Sequence, residues 1–357
     1  MPTHPPASAQ RITRVGQVAL GLLWLTDGAL QFQPYMFGRT FIAGVILPAA
    51  AGQPGIIGGP ITWIARLIEP QVALFNGGAA TLQVLIGLGL LYRPAVKPAL
   101  LVSLVWASSI WFAGEGLGMI FTGTSNPLTG APGAALLYIV AALLCWPAGG
   151  HRFYLAARSC WVIVWLVSAT LWLLPANDGA GSLHDAIASA PSGAHWLSGL
   201  LGSAASATSG LGTMIAIGLA IVSAAIGLSL ASRYHARLFL VVAMVISLCF
   251  WIIGQGLGGV LTGQATDVGT APLMVLTAAL LLARERTERT SVSGRLVEHV
   301  ASPTRALTRS APADEHGHPR WGRTITEDMP DPAGEVTVGG DRHGLGDARK
   351  RSGSPRT

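Results

Sequence analysis

Two acidic side chains interrupt long apolar stretches in the first half of the chain. Asp27 comes shortly before Pro34, where the first stretch ends, and Glu115 comes shortly before Phe121, where the third ends. An ionisable group near the centre of a membrane-spanning helix costs about 2.5 to 3.5 kcal/mol, so such a group marks a candidate functional site. The similar depth of the two acids predicts that they can face each other across a pocket.

Three neutral polar residues lie at compatible positions and could complete this pocket, namely Gln31, Asn76 and Thr122. Such a pocket would bind or conduct a small ligand or a proton, and the pattern assigns no catalytic residue. The alternative is that each acid is hydrogen-bonded separately to the backbone or to a neighbour. In that case the acids only fix how the helices pack.

Glu115 belongs to a motif that occurs twice. Residues 111–133 read WFAGEGLGMIFTGTSNPLTGAPG, and residues 251–273 read WIIGQGLGGVLTGQATDVGTAPL. A gapless alignment pairs Glu115 with Gln255 and Pro132 with Pro272. The other pocket positions are matched in the second half by Ser168, Trp172, Ala216 and Thr262. Because the second half lacks both acids, the sequence predicts one site, in the first half.

The motif glycines suggest a second purpose. The Gly-x-x-x-Gly spacing occurs in both copies, and in lipid it lets two helix backbones approach closely. It predicts helix packing through Gly114, Gly118, Gly254 and Gly258. A nucleotide-binding loop is not predicted, because no strand precedes the glycines.

The remaining composition is typical of an integral membrane protein. Hydrophobic residues make up 51% of the chain, and most of the charged residues lie from Arg284 onward. Eight apolar stretches precede Arg284, and a spanning helix needs about 20 residues. We therefore predict an all-α membrane protein of about eight transmembrane helices, arranged as two tandem parallel four-helix repeats. The predicted boundaries are an N-terminal cytoplasmic segment 1–10, repeats 11–150 and 151–284, and a disordered cytoplasmic tail 285–357.

The basic residues of the core predict the orientation. In an eight-span arrangement one side carries Arg11, Arg14, Arg93, Lys97, Arg152, Arg158, Arg233 and Arg237, whereas only Arg39 and Arg66 fall on the other. The positive-inside rule then predicts that both termini lie in the cytoplasm. The expected location of the protein is the inner (plasma) membrane. The basic net charge of +6 follows from this topology, so the lipid bilayer is the expected partner and nucleic acid is not.

Other chemistry is poorly supported by the sequence. The polar segment 176–210 contains His184, Asp185 and His195, but two histidines with this spacing do not define a metal site, and we predict no metal. The broken apolar segment 35–71 predicts short helices that lie in the interface. Together the two segments are expected to cap the bundle.

The first half resembles a known family. Its sequence RVGQVALGLLWLTDG, its glycine-rich third stretch and the sequence GAPGAALLY are similar to those of DoxX-type small membrane proteins. They are closer still to uncharacterised actinobacterial membrane proteins that carry GEGLG…LTG. The resemblance implies a four-helix bundle and a role as subunit of a quinone-linked oxidoreductase, with a quinone as the candidate cofactor; the sequence itself assigns no cofactor. It brings no catalytic residue to this chain, and a structural or assembly factor within a membrane complex, bound to its other subunits, remains a further alternative.

Overall fold

The protein is built from helices in every part of the chain that the structure describes. The computed structural model describes residues 7–147, 151–232 and 234–286, and none of these residues is in a strand. The all-helical prediction is therefore confirmed for this part. The tail predicted for 285–357 lies outside the described residues, except for its first two positions.

The helices of the first half begin with α1 and include a group of short elements before the longer helices. In order they are α1 (Ala7–Leu30), α2 (Arg39–Phe41), α3 (Leu47–Ala50), α4 (Gly55–Ile68), α5 (Val72–Leu91), α6 (Val96–Ala113) and α7 (Ala134–Leu144). A π-helical turn, Ile42–Ile46, joins α2 to α3. The second half contains α8 (His151–Leu171), α9 (Ser182–Ala188), α10 (His195–Thr208), α11 (Gly212–Ser232) and α12 (Ala236–Ile253). A last helix, α13, covers residues 270–286.

Five stretches within the described residues are long and apolar enough to cross a membrane. They are Gly55–Leu91, Arg93–Thr122, Arg152–Leu171, Gly212–Ser232 and Ala236–Thr262. Large apolar side chains on these stretches are exposed, among them Leu74, Val105 and Ile221. Such exposure suits helices that face lipid. The chain thus has the helices of a membrane-embedded protein, and the other three predicted spans correspond to α1, α7 and α13, which are shorter or less apolar.

The core forms where α1 packs on α5 and where α8 packs on α11. A Cβ atom added at Gly87 would lie 2.8 Å from the carbonyl oxygen of Gly21, so glycine is needed where α1 and α5 cross. Trp24, Leu90 and Tyr138 are buried in the cluster that joins these helices to α6 and α7. Full burial of such side chains contributes roughly 1.5 to 3 kcal/mol each.

One end of the bundle holds the beginning of α1 and the ends of three other helices. Arg14 Nη1 donates to the carbonyl oxygen of Leu90 at 2.9 Å, and Arg284 Nη2 donates to that of Leu144 at 2.6 Å. These basic side chains satisfy carbonyl groups that the helix C-termini leave free. The contacts place the start of α1 and the ends of α5, α7 and α13 together.

Both of the predicted capping segments form short helices with a buried apolar side. Met36, Phe41 and Ile61 belong to a cluster formed around α2, α3 and α4. A second cluster contains Leu183 and Leu197, from α9 and α10. Gly and Pro interrupt these segments often enough to prevent one long helix.

Candidate functional site

The glycine-rich motifs end the helices instead of packing them together. Gly114 caps the C-terminus of α6, and the following turn places Gly118 at φ +67°. In the second motif Gly254 caps α12, and Gly258 has φ +70°. The prediction of Gly-x-x-x-Gly helix packing is therefore wrong. Successive glycines adopt left-handed conformations at low cost, so they break the helix.

The motif turn folds back onto the chain segment that follows it. Trp111 Nε1 donates to the carbonyl oxygen of Pro132 at 2.8 Å, and Trp251 Nε1 donates to that of Val268 at 2.8 Å. Val268 thus occupies the place of Pro132, four residues before Pro272. The gapless alignment is wrong at this point, because the second loop reaches the same backbone position with four fewer residues.

Glu115 lies at this turn and binds the beginning of α7. Its Oε1 accepts a hydrogen bond from the backbone N–H of Ala135 at 3.0 Å, which satisfies a donor that the helix N-terminus leaves free. Its Oε2 is buried against Gly133 and has no hydrogen-bond partner in the described structure. A negative charge at a helix N-terminus is favourable. One carboxylate oxygen therefore fixes the side chain, and the other remains free.

Asp27 is almost fully buried on α1, with 2% of its surface exposed. Its Oδ2 accepts a hydrogen bond from the Tyr138 hydroxyl at 2.5 Å, and its Oδ1 accepts one from the backbone N–H of Val268 at 3.2 Å. Tyr138 belongs to α7, whereas Val268 belongs to the second motif loop. The second half of the chain therefore helps to position the acid of the first half.

Three buried amides surround these acids. Asn76 Nδ2 donates to the backbone carbonyl of Gln31 at 2.8 Å, and Gln31 Nε2 donates to that of Thr266 at 3.0 Å. The side-chain oxygens of Asn76, Gln31 and Gln83 have no hydrogen-bond partner within the described structure. Asn76 is only 1% exposed. A buried polar group left unpaired costs about 1 to 3 kcal/mol, so a hydrogen-bond donor that reached these oxygens would stabilise the fold.

The acids and the amides line one cavity of about 260 Å³. Its polar lining consists of Asp27, Gln31, Asn76, Gln83, Ser109, Glu115, Tyr138, Thr266 and Asp267, and the indoles of Trp24 and Trp106 also reach it. The apolar wall includes Phe41, Ile68 and Phe75. No described lining residue is basic. Asp27, Glu115 and Asp267 thus bring three carboxyl groups to the lining of one cavity.

Four of the five residues predicted for the pocket meet in this cavity, and Thr122 does not. Its hydroxyl donates to the carbonyl oxygen of Met119 at 2.8 Å, within the motif turn. The left-handed turn at Gly118 directs this part of the chain away from the cavity. Tyr138, Gln83 and Asp267 were not predicted. Gln83 had a usable signal, since it is a polar residue inside an apolar stretch.

A second cavity, of about 510 Å³, lies between the two motif loops, and we call it the vestibule. Its lining includes Gly118 and Gly258 from the two turns, together with Gln255. Glu115 and Asp267 line both the vestibule and the 260 Å³ cavity. These two acids therefore stand where one space meets the other.

The position of the cavity in the second half is nearly filled. A space of about 20 Å³ remains around Ser168, Ser223, Ser247, Gln255 and Thr270. That volume is close to the minimum that one water molecule needs. At this counterpart position the second half therefore has about 20 Å³ of space, where the first half has about 260 Å³.

No known protein family, curated protein or solved structure matches the chain. Within the described residues, no group of three or more His, Cys, Asp or Glu side chains could hold a metal ion. His184 Nδ1 instead lies 2.8 Å from the carbonyl oxygen of Ala205. The function must therefore be argued from the cavity itself.

Proposed function

We propose that the protein is an integral membrane protein that binds a small ligand in the cavity of its N-terminal half. The observation that carries this proposal is a set of unpartnered oxygens around about 260 Å³ of space, on Glu115, Gln31, Asn76 and Gln83. Leaving them unpaired destabilises the fold, and closing the cavity, as in the second half, would remove that cost. A ligand that supplies hydrogen-bond donors explains why the cavity persists.

We also propose that the chain spans the membrane eight times, as two parallel repeats. Similar contacts in the two halves support this arrangement. Arg14 bonds the end of α5, and Arg158 bonds the carbonyl oxygens of Leu230 and Ala231 at the end of α11. Both motif loops line one vestibule, which requires an even number of spans between them. The positive-inside rule then puts the vestibule outside the cytoplasm. A reporter active only outside should be silent after Lys97 and active after Ser192, and the opposite result would overturn this topology.

A quinone-linked role is supported less well by the cavity. An oxidised quinone presents carbonyl oxygens, which need hydrogen-bond donors. The Tyr138 hydroxyl is already bonded to Asp27, and Trp106 Nε1 is a buried lining donor without a partner. A purely structural role would not explain why these buried oxygens lack hydrogen-bond partners. Ligand binding therefore remains the proposal, and the DoxX resemblance contributes no site residue to it.

Binding can be tested with three small nitroxides that share one ring and differ in one head group. Amino-TEMPO, hydroxy-TEMPO and carboxy-TEMPO would each be titrated into the purified full-length protein, and the immobilised fraction would be measured by electron paramagnetic resonance. We expect at least one probe to saturate at one molecule per chain. Absence of saturable binding for all three would overturn the proposal.

Cavity-filling variants locate that binding. Ala79 lines the cavity, and Leu219 is its counterpart on α11. Ala79→Phe should abolish the saturable signal, whereas Leu219→Phe should preserve it. Ala113→Leu fills the cavity from α6 and serves if Ala79→Phe does not fold. Retained binding in a folded cavity-filling variant would place the probe elsewhere.

A further inference from the structure

We infer that the ligand is an organic cation, with an ammonium head group on a compact apolar body, and that it reaches the cavity through the vestibule. This inference rests on the proposed ligand-binding function and specifies the chemistry of the same site. Its basis is the juxtaposition of three carboxylates with unpartnered, buried amide oxygens in a cavity whose described lining contains no basic residue.

The free hydrogen-bonding groups of the cavity are nearly all acceptors. Glu115 Oε2 and the side-chain oxygens of Gln31, Asn76 and Gln83 lack partners, and so does the buried donor Trp106 Nε1. The amide nitrogens of Gln31 and Asn76, in contrast, already donate to backbone carbonyl oxygens. An ammonium group has three donors and no acceptor, so it complements this set. A carboxylate or phosphate ligand would present acceptors to acceptors. The hydrogen-bond inventory therefore favours a donor-rich head group.

The charges point in the same direction. Asp267 is held by its own loop, because its Oδ1 accepts from the backbone N–H of Gly269 at 2.7 Å and its Oδ2 accepts from the Thr266 hydroxyl at 2.9 Å. Asp267 thus contributes negative charge more than a free oxygen. Glu115 contributes a carboxyl oxygen that has no partner. A positive ligand would relieve the mutual repulsion of the acids, which a neutral ligand cannot do.

The walls indicate that the cation is organic. Phe41, Phe75 and Trp24 line the cavity beside the acids. Aromatic faces attract cations within about 6 Å, and apolar walls favour an apolar body. A bare metal ion would instead need several charged or neutral oxygens at short range. Within the described residues no such metal-binding group occurs.

The second half provides an internal contrast. The counterparts of Asp27 and Glu115 are Ser168 and Gln255, which carry no charge, and the space between them is about 20 Å³. The vestibule nevertheless borders both halves. A cation in the vestibule would therefore be drawn past Glu115 and Asp267 into the first half.

The nitroxide set tests this inference, because the ring is constant and only the head group changes. At neutral pH amino-TEMPO carries an ammonium group, hydroxy-TEMPO is neutral and carboxy-TEMPO is an anion. We expect amino-TEMPO to bind about tenfold more tightly than hydroxy-TEMPO, and carboxy-TEMPO to bind most weakly. Glu115→Gln should reduce amino-TEMPO affinity about tenfold and change hydroxy-TEMPO affinity less than about twofold.

Two comparisons make the outcome decisive. Glu115→Gln keeps the acceptor for Ala135 and copies Gln255, so it should fold. Asp267→Asn provides a second charge removal, which keeps an acceptor for the backbone N–H of Gly269 and loses the acceptor for the Thr266 hydroxyl. Equal binding of all three probes, still abolished by Ala79→Phe, would overturn the cation and leave the binding site standing. No saturable binding of any probe would overturn both.

Discussion

The first motif, residues 111–133, and the second motif, residues 251–273, share a backbone turn and differ in how they satisfy their central side chain. Gln255 Oε1 accepts from the backbone N–H of Thr270 at 3.0 Å, and its Nε2 donates to the Thr270 hydroxyl at 2.8 Å. Glu115 makes the equivalent helix-capping bond but leaves Oε2 free. The turn needs only one acceptor at this position, so the fold of the turn does not require the second carboxyl oxygen of the first copy.

The residues around Glu115 also differ from those around Gln255. Asp27 uses both oxygens for contacts with other parts of the chain, whereas Ser168 donates to the carbonyl oxygen of Val164 in its own helix at 2.8 Å. Tyr138 of the first half corresponds to Met274 when the shorter second loop is taken into account. Small or apolar side chains thus occupy the counterpart position in the second half, where about 20 Å³ of space remains. The first half carries buried polar groups without partners, and such groups cost free energy in a fold.

The largest effect is expected from a change to the backbone turn that the halves share. Gly118→Ala and Gly258→Ala should each destabilise the protein by about 2 to 4 kcal/mol, because both positions have a left-handed φ and a Cβ atom would meet backbone. Thermal unfolding in detergent measures this. A large effect in one half with none in the other would show that the turns are not equivalent.

A second test moves the charge into the half that lacks it. Gln255→Glu should destabilise the protein by about 2 kcal/mol, because it removes the amide donor to Thr270 and adds a charge where the cavity is too small for a partner. Melting in detergent would be compared with that of Gln255→Met, which adds no charge. If Gln255→Glu melts at or above the temperature of Gln255→Met, the second half tolerates the acid. That result would contradict the claim that only the first half accommodates an acid at this position.

The contact between Asp27 and Tyr138 should have an intermediate effect. Tyr138→Phe removes the donor at 2.5 Å and should cost about 1 to 2 kcal/mol. The matched change in the second half, Met274→Leu, alters shape without removing a hydrogen bond and should cost less than about 1.5 kcal/mol. Chemical or thermal unfolding of both variants checks this. An unaltered Tyr138→Phe melting curve would mean that Asp27 does not depend on the hydroxyl.

The smallest effect has the opposite sign. Glu115→Gln should raise stability by up to about 1 kcal/mol, because it removes charge from a buried oxygen without a partner and keeps the bond to Ala135. Thermal unfolding of the ligand-free protein measures this. Destabilisation by more than about 1 kcal/mol would indicate that the charge holds the fold together.

The sequence allowed much of the site to be predicted, because polar residues in apolar stretches are conspicuous. Asp27, Glu115, Gln31 and Asn76 could be grouped by their depth alone, and they line one cavity. Thr122 has the right depth in a continuous helix, but the glycine turn redirects the chain before it. The packing role assigned to Gly114 and Gly118 failed for the same reason, since spacing alone does not distinguish a helix crossing from a helix end.

Other features depend on contacts that local sequence does not encode. Val268 reaches Asp27 across 241 positions of the chain, and Asp267 comes to the cavity with it. Tyr138 follows a glycine-rich loop, a place where an interfacial tyrosine is equally plausible. The gapless alignment of the motifs also concealed the relation of Tyr138 to Met274. Only the tertiary contacts revealed that the second loop is shorter.

The most direct test of the central claim is to find where a ligand binds on the chain. A diazirine-bearing benzylamine, photolysed with the purified full-length protein, would be mapped by mass spectrometry and competed with amino-TEMPO. We expect competed labelling on the lining parts of α1 and α5, such as residues 24–31 and 75–83, and none on the counterparts 165–172 and 215–223. Equal labelling of both halves, or competed labelling confined to the second half, would contradict a binding site that only the first half has retained.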